Sequence, residues 1–392
     1  LTILRNGGLL LAVLFPLVII HELGHFAAAK AFGIKVLEFG VGFPPRIKGL
    51  VFRRGETEYT VNWLPIGGFV RLLGEEDPSD PRSLAAQARW KRLVVIYAGV
   101  FMNIVAAILL LAVAFMIPRE RALSLAQVVQ VAQGSPAAEA RIEGELRDGS
   151  TPAPGLQPGD LILNVEGRDI KNTSELIYAN RLNLGETQKW TVQRQGSTLT
   201  AYVYARWDPP AGQGPTGIRI AAPTTCSVTD QGEAANCQLL YPYTEKVQYL
   251  WPWQSLPKSI STLGEIVLLT KNEIQVRING GAGAGAANGN EDQPVFTGPV
   301  GIADQTGNLV DEQGWRSLID FAALMSLNLA VFNALPIPML DGGRGLFVFI
   351  EILRRGRRIA PEKEALVHLA GFALLMGGVL IVTWFDISRL VS

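Results

Sequence analysis

The chain carries no net charge and contains very few histidines and cysteines. Its 35 Lys and Arg residues balance 35 Asp and Glu residues, so the basic surface that a nucleic-acid-binding protein needs is missing. Only three histidines occur among the 392 residues, namely His21, His25 and His368. A metal site built from three histidines would therefore need the distant His368. The two cysteines, Cys226 and Cys237, allow one disulfide, and two unpaired thiols are the alternative.

Apolar residues, in contrast, are abundant and unevenly distributed. They make up 48% of the chain and are concentrated in residues 7–20, 93–117, 318–340 and 366–384. Each of these stretches is close to the roughly 20 residues that a membrane-spanning helix needs. The sequence therefore predicts a polytopic α-helical membrane protein with about four spans. A cleaved signal peptide is the alternative for the first stretch, but no small-residue cleavage site precedes the motif that follows it.

That motif is His21-Glu22-Leu23-Gly24-His25, at the end of the first apolar stretch. Residues four apart share one face of a helix, so both imidazoles can bind one zinc ion while Glu22 points at its bound water. A zinc ion with three protein ligands keeps one position open, and water there becomes acidic enough to react near neutral pH. Glu22 is the expected proton acceptor. A chance pairing of histidines is the alternative, although polar residues in a membrane span usually have a function.

A carboxylate is the expected third ligand, and Asp341 is the best candidate because it closes the third apolar stretch. Two prolines interrupt the helix just before it, and Asn328 and Asn333 carry amides in the same region, so this segment is predicted to surround a cavity. Pairing of Asp341 with Arg344 at a helix end is the alternative. Among the other acids, Asp320 and Asp386 are poorer candidates, and Glu38, Glu75 and Glu76 remain open.

Basic residues predict the orientation of the spans. Lysine and arginine are concentrated between the first and second spans and again at 354–358, which is typical of cytoplasmic loops. Both His25 and Asp341 then lie toward the cytoplasmic side. The N-terminus, residues 118–317 and the C-terminus lie on the opposite side, where Cys226 and Cys237 could form a disulfide.

Residues 34–43 and 58–72 have strand composition interrupted by glycine and proline, which predicts a hairpin or small sheet beside the metal helix. Backbone of this kind is tolerated at membrane depth only where protein covers it or where it lines a wet cavity. One strand edge could therefore pair with an extended substrate. A cytoplasmic hairpin without substrate contact is the alternative.

The region after the second span resembles a bacterial-type PDZ domain, a peptide-binding module that works by strand addition. The resemblance rests on residues 126–131, 134–140, 155–170, 174–182 and 189–204, which carry its motifs in order. Residues 141–154 interrupt the usual spacing, so a domain that only occupies space is the alternative.

The predicted boundaries follow from these segments. They are 1–33 for the first span, 34–92 for the cytoplasmic β-rich loop, 93–118 for the second span, 119–207 for the PDZ-like α+β domain, 208–317 for an extension, 318–350 for the third span, 351–365 for a basic loop and 366–392 for the fourth span. Within the extension, 259–278 predicts an amphipathic helix on the membrane surface, and the glycine-rich 280–290 lacks the lysine of a phosphate loop and predicts a flexible linker.

Taken in order, these motifs together with Gly298 to Ala303 resemble the site-2 protease family of intramembrane zinc metalloproteases, in the bacterial branch that cleaves anti-sigma factors (the regulator-of-sigma-E type). The resemblance implies one Zn²⁺ per chain in a multi-pass protein of the bacterial cytoplasmic membrane. It also implies cleavage of single-span membrane proteins already trimmed by a site-1-type protease, and the lipid bilayer, not nucleic acid, as its surroundings.

By motif, the resemblance assigns zinc binding to His21, His25 and Asp341, and general base catalysis to Glu22. Asn333 is expected to hold the substrate strand or the oxyanion. Further substrate contacts are expected from Asn328, Pro338, Asn62, Gly67 and Gly68.

Two other functions fit parts of the sequence. A membrane-bound PDZ adaptor without catalysis predicts a damaged metal motif, yet Glu22 and both motif histidines are present. A zinc transporter predicts more polar residues along several spans than these spans contain.

Overall fold

The computed structural model describes residues 2–75, 77–210, 212–228, 234–239, 243–247, 250–278 and 298–391. The chain divides into two compact units. Leu1–Met116, Trp251–Ser259 and Val295–Ser392 form the first, called here the helical unit. Ile117–Leu250 and Ile260–Pro294 form the second, called here the sheet unit.

The helices of the described residues have the following bounds. They are α1 (Thr2–Ala31), α2 (Arg89–Met116), α3 (Thr173–Leu182), α4 (Pro252–Ile278), α5 (Pro299–Gln313), α6 (Ser317–Ala334), α7 (Asp341–Leu353) and α8 (Pro361–Val391). Four of them, α1, α2, α6 and α8, are long and apolar enough to cross a membrane. The prediction of about four membrane helices is confirmed to that extent.

Small residues allow α1 and α2 to pack closely in the helical unit. A Cβ added to Gly24 of α1 would lie 2.4 Å from the carbonyl oxygen of Ala98 in α2. On α2, Ala106 and Ala107 are buried. Close backbone approach through glycine and alanine is the usual way in which membrane helices associate. It brings the motif of α1 directly against the middle of α2.

Strands β1 (Val36–Arg54) and β2 (Thr57–Leu72) form the predicted small sheet between α1 and α2. Both strands bend, so Phe39 pairs with Tyr59 on one side and with Val70 on the other. Residues 38–41 therefore lie in the middle of the sheet. Within the described part of the chain, residues 68–72 have a strand partner on one side only. This segment is called here the β2 edge.

Buried polar groups hold the bent sheet together. Gly42 has a φ of 80°, and its carbonyl accepts a hydrogen bond of 3.0 Å from the buried amide of Asn62. The carboxylate of Glu38 is buried and accepts from Thr60 at 2.9 Å and from Arg46 at 2.8 Å. A buried carboxylate is tolerated when it is paired in this way.

A seven-stranded sheet forms the body of the sheet unit, in the order β10-β4-β6-β8-β9-β5, with β7 paired to β6. The strands of this sheet are β4 (Ala126–Val131), β5 (Arg141–Glu143), β6 (Leu161–Val165), β7 (Arg168–Asp169), β8 (Thr187–Arg194), β9 (Ser197–Tyr204) and β10 (Ile218–Ala221). Two further sheets have two strands each and pair β3 (Arg119–Leu123) with β13 (Tyr243–Val247) and β11 (Thr224–Val228) with β12 (Ala234–Leu239). Helix α3 packs on this sheet through Leu176 and Ala179, beside the fully buried Trp190. The segment 141–154, which interrupts the PDZ-like spacing, begins with β5, and β5 extends the sheet beside β9.

Three features of the extension differ from the sequence analysis or lie beyond the described residues. Helix α4 begins at Pro252, before the predicted start at 259. Helix α5 was not predicted, although Pro299 at its start and Gly314 after its end are ordinary helix boundary residues. The backbones of Cys226 and Cys237 lie on the paired strands β11 and β12, but their side chains and the linker 280–290 lie outside the described residues, so both remain predictions.

Candidate active site

Three side chains from two distant parts of the sequence meet at one point in the helical unit. The Nε2 atom of His21 lies 2.9 Å from Oδ2 of Asp341, and Nε2 of His25 lies 3.2 Å from the same oxygen. The two Nε2 atoms are 3.1 Å apart. One potential ligand atom from each residue thus lies within 4.8 Å of the others.

The elements that carry these residues explain why they meet. His21 and His25 are four apart on α1, so they project from one face of that helix. Asp341 is the first residue of α7, after a short segment that breaks the helix between Ala334 and Asp341. A carboxylate in the first turn of a helix is also favoured by the helix macrodipole.

The second nitrogen of each imidazole contacts α2. Nδ1 of His25 lies 2.8 Å from the carbonyl oxygen of Val95. Only an Nδ1–H can donate to a carbonyl, so the neutral ring keeps its lone pair on Nε2, the nitrogen that faces Asp341. This is the usual arrangement of a metal-binding histidine.

Asn103 of α2 contacts Nδ1 of His21, as the carbonyl of Val95 contacts Nδ1 of His25. Its side-chain nitrogen lies 3.2 Å from Nδ1 of His21, while its Oδ1 is buried without a partner in the described structure. A half-turn of the amide brings Oδ1 against Nδ1 of His21, where it accepts the Nδ1–H. Both histidines then present unprotonated Nε2 atoms to the same point.

The residues present fit a single zinc ion. Two imidazoles and one carboxylate are a common donor set for catalytic zinc, with ligand distances of about 2.0 to 2.2 Å. Space for the ion depends on Gly99 of α2, because a Cβ there would lie 2.5 Å from Nε2 of His25 and 2.6 Å from Nε2 of His21. Only glycine leaves this volume open.

A cavity of about 390 Å³ surrounds the three residues. Glu22 lines it, together with Gly67 and with Gly68, Phe69, Val70 and Leu72 of the β2 edge. A Cβ added to Gly68 would lie 3.3 Å from Cγ of Glu22. The glutamate therefore stands between the metal-binding cluster and a strand edge.

The predicted substrate-binding residues are only partly brought together. Asn333 lines the cavity with Leu329, its neighbour one turn away on α6, whereas Asn328 does not, because on a helix it projects from a different face. Asn62 is not in the lining either, since its buried amide is used within the bent sheet. Pro338 also lies outside the lining and packs against Gly371 of α8.

The alternative partner of Asp341 and several of the alternative metal ligands make other contacts. Arg344 pairs with Glu75 at 3.0 Å, not with Asp341. Glu38 pairs with Arg46 and Arg71. The carboxylate of Asp386 accepts the backbone N–H of Gly301 at 2.8 Å. Among the described residues the metal cluster includes none of these acids, and Glu76 lies outside the described residues.

The second membrane helix, α2, contributes residues to the site that the sequence did not predict. Asn103 is fully buried, and its position inside an apolar span was a recognisable indication of function. Gly99 carried no such indication, because glycine is common in membrane helices. Both residues act on the histidines from a helix that was assigned no site residue.

Comparison with known proteins gives the family of the chain. Residues 9–378 match the model of peptidase family M50. The chain is 28% identical over 457 residues to the regulator of sigma-W protease RasP of Bacillus subtilis, covering 95% of this chain and 96% of that protein. It is 27% identical over 460 residues to the zinc metalloprotease RasP of Geobacillus kaustophilus, covering 97% of each.

A Clostridium perfringens protein with a provisional zinc metalloprotease name is 30% identical over 372 residues, covering 95% of each chain. The family model covers nearly all of the helical unit, including most of α1, all of α2 and the segment with Asp341. The chain therefore belongs to peptidase family M50 and is a multi-pass membrane zinc metalloprotease.

Proposed function

We propose that this chain is an intramembrane endopeptidase that uses one zinc ion to cleave single-span membrane proteins. The observation that carries the proposal is the meeting of Nε2 of His21 and Oδ2 of Asp341 at 2.9 Å, from residues 320 positions apart in sequence. Polar groups inside apolar spans are costly, so their convergence in a cavity indicates a function. His21, His25 and Asp341 would hold the ion.

Zinc bound at this cluster supplies a Lewis acid that polarises a substrate carbonyl and makes a water molecule more acidic. Glu22 is placed to accept the proton of the attacking water and to return it to the nitrogen of the leaving amine. Proton transfer of this kind contributes about 10² to 10⁴ in rate. Asn333 on the cavity wall can donate its amide to the substrate strand or to the developing oxyanion.

The β2 edge supports a mode of substrate binding. A transmembrane helix hides its peptide bonds in internal hydrogen bonds, so the cleaved segment has to unwind. In an apolar environment its freed N–H and C=O groups need new partners. The β2 edge, including Gly68, lines the cavity and has a strand partner on one side only in the described structure, so an extended substrate can add to it as a further strand.

The arginines at 354, 355, 357 and 358 support a cytoplasmic position for the end of α7. Asp341 and the cavity then lie toward the cytoplasmic side, and the sheet unit lies outside the cell. The sheet unit is proposed to be a PDZ-type module. Such modules bind a peptide as an added strand at a sheet edge, and β10 forms one edge of this sheet in the described structure. It would restrict access to substrates that another protease has already shortened.

The relative named for regulation of sigma-W supports anti-sigma-factor-type proteins as substrates. Remnants of signal peptides are the second class, since each is also a single apolar helix. In both classes the cleaved bond lies within or at the edge of the bilayer.

A single-span reporter reconstituted with the purified chain in liposomes tests the proposal. The native protein should contain zinc and release the product. Glu22→Gln should also contain zinc but release at least about 100-fold less product. Glu312→Gln is a matched control, because Glu312 is exposed on α5, and it should cleave like the native protein. Equal cleavage by native protein and Glu22→Gln would refute the role of Glu22.

A further inference from the structure

The third histidine of the chain holds the segment that leads to Asp341. Nδ1 of His368, on α8, accepts a hydrogen bond of 2.8 Å from the backbone N–H of Met339. Met339 has a φ of 83°, in the left-handed region that non-glycine residues rarely adopt. Such a conformation persists only where the surroundings enforce it. The bond from His368 is one of the contacts that enforce it.

A second contact between α8 and this segment is made at Gly371, one turn after His368. A Cβ added to Gly371 would lie 2.5 Å from Cβ of Pro338 and 2.9 Å from its carbonyl oxygen. Further along α8, Gly377 and Gly378 have nothing within 4 Å of such a Cβ. Only 6% of the apolar part of α8 is buried, so close packing of this helix is confined to a few places, and this segment is one of them.

The segment before Asp341 also packs closely against the first turn of α7. A Cβ at Gly342 would lie 2.1 Å from the carbonyl oxygen of Leu335, and one at Gly343 would lie 2.3 Å from that of Ile337. The first turn of α7 is thus packed against the backbone that precedes it. A displacement at Pro338 or Met339 must therefore move Asp341 as well.

We propose that His368 is a positioning residue, which fixes the carboxylate of Asp341 through the backbone of Met339. The inference rests on the proposed zinc site. His368 does not coordinate the metal itself, because its Nδ1 is occupied by Met339 and its Nε2 faces Glu364 at 4.0 Å. Its ring also contacts Phe347, with centroids 5.3 Å apart, so a purely structural packing role has to be separated from positioning.

Two substitutions separate the hydrogen bond that Nδ1 of His368 accepts from the packing of its ring. His368→Asn keeps an acceptor oxygen at the position of Nδ1 and removes the ring, whereas His368→Phe keeps a ring and removes the acceptor. Zinc affinity is measured by competition with a chelator on the purified full-length protein, and the cobalt-substituted forms are compared by visible absorption. Partners that orient metal ligands typically contribute about 10- to 100-fold in metal affinity.

We expect His368→Phe to lower zinc affinity by about tenfold and to alter the cobalt spectrum, and His368→Asn to retain both properties. Gly371→Ala should resemble His368→Phe, and Gly378→Ala should resemble the native protein. Native affinity and spectrum in His368→Phe, or equal losses in the Phe and Asn variants, would overturn the proposal. Failure of the zinc site itself would be distinguished by the native protein, which would then bind no zinc.

Discussion

Glu22 and Gly68 stand so close that a Cβ at Gly68 would lie 3.3 Å from Cγ of Glu22, and 3.1 Å from the carbonyl oxygen of Gly40. The proposed general base is therefore adjacent to the strand edge on which a substrate would lie. A peptide paired with the β2 edge passes the carboxylate of Glu22 without a separate positioning step. In the proposed mechanism, substrate binding and proton transfer would thus take place in one small region.

Substitution of Gly68 by valine should impair substrate binding more than metal binding. The new side chain would project toward Glu22 and the space that the substrate occupies. We expect kcat/KM for a single-span reporter to fall by about tenfold or more, with unchanged zinc content. Native kcat/KM in Gly68→Val would contradict substrate binding along the β2 edge.

Asn103 should contribute to metal affinity through His21. Asn103→Leu keeps a similar volume but removes the acceptor for the Nδ1–H of His21, so zinc affinity should fall by about 10- to 100-fold. Asn103→Asp is the matched control, because a carboxylate oxygen also accepts that hydrogen. It should bind zinc about as tightly as the native protein. Chelator competition on the three proteins measures the effect, and native affinity in Asn103→Leu would exclude this role.

Glu351 should give the helical unit a pH-dependent stability. Although burial alone raises the pKa of Glu351, the guanidinium of Arg92 at 2.6 Å, with Arg358 and Arg89 nearby, lowers this pKa below its ordinary value. A carboxylate with a lowered pKa stabilises the fold fully above its unfolded pKa of about 4.3 and loses this contribution as the pH falls.

Glu351→Gln should therefore lower the melting temperature at pH 7, because it leaves Arg92 without its partner, at a cost of about 3 kcal/mol. The difference from the native protein should shrink below about pH 4, where Glu351 itself becomes protonated. Glu56→Gln is a suitable control, since its pair with Arg82 is exposed and such pairs contribute little. A difference between native protein and Glu351→Gln that does not depend on pH would contradict this account.

The sequence predicted the parts of the fold that depend on local pattern. Apolar runs of membrane length indicated α1, α2, α6 and α8, and the four-residue spacing of His21 and His25 placed two rings on one face. The breaks around Pro336 and Pro338 indicated that the helix stops before Asp341. These features need no knowledge of tertiary contacts.

Features that depend on tertiary packing could not be read from the sequence. Gly99 and Gly68 look like ordinary glycines, and only the structure shows which side chains a Cβ would meet there. Asn328 and Asn333 are equally polar in sequence, but helix rotation turns only Asn333 toward the cavity. The contact of His368 with Met339 joins α8 to the segment between α6 and α7, and no local pattern encodes it.

The most direct test of the central claim is zinc X-ray absorption spectroscopy on the purified native protein and on Asp341→Ala. The account predicts one zinc per native chain with two imidazole nitrogens and a carboxylate oxygen at about 2.0 to 2.2 Å, and a loss of zinc or a changed ligand shell in Asp341→Ala. An unchanged spectrum and zinc content in Asp341→Ala, or sulfur ligands in the native protein, would contradict it.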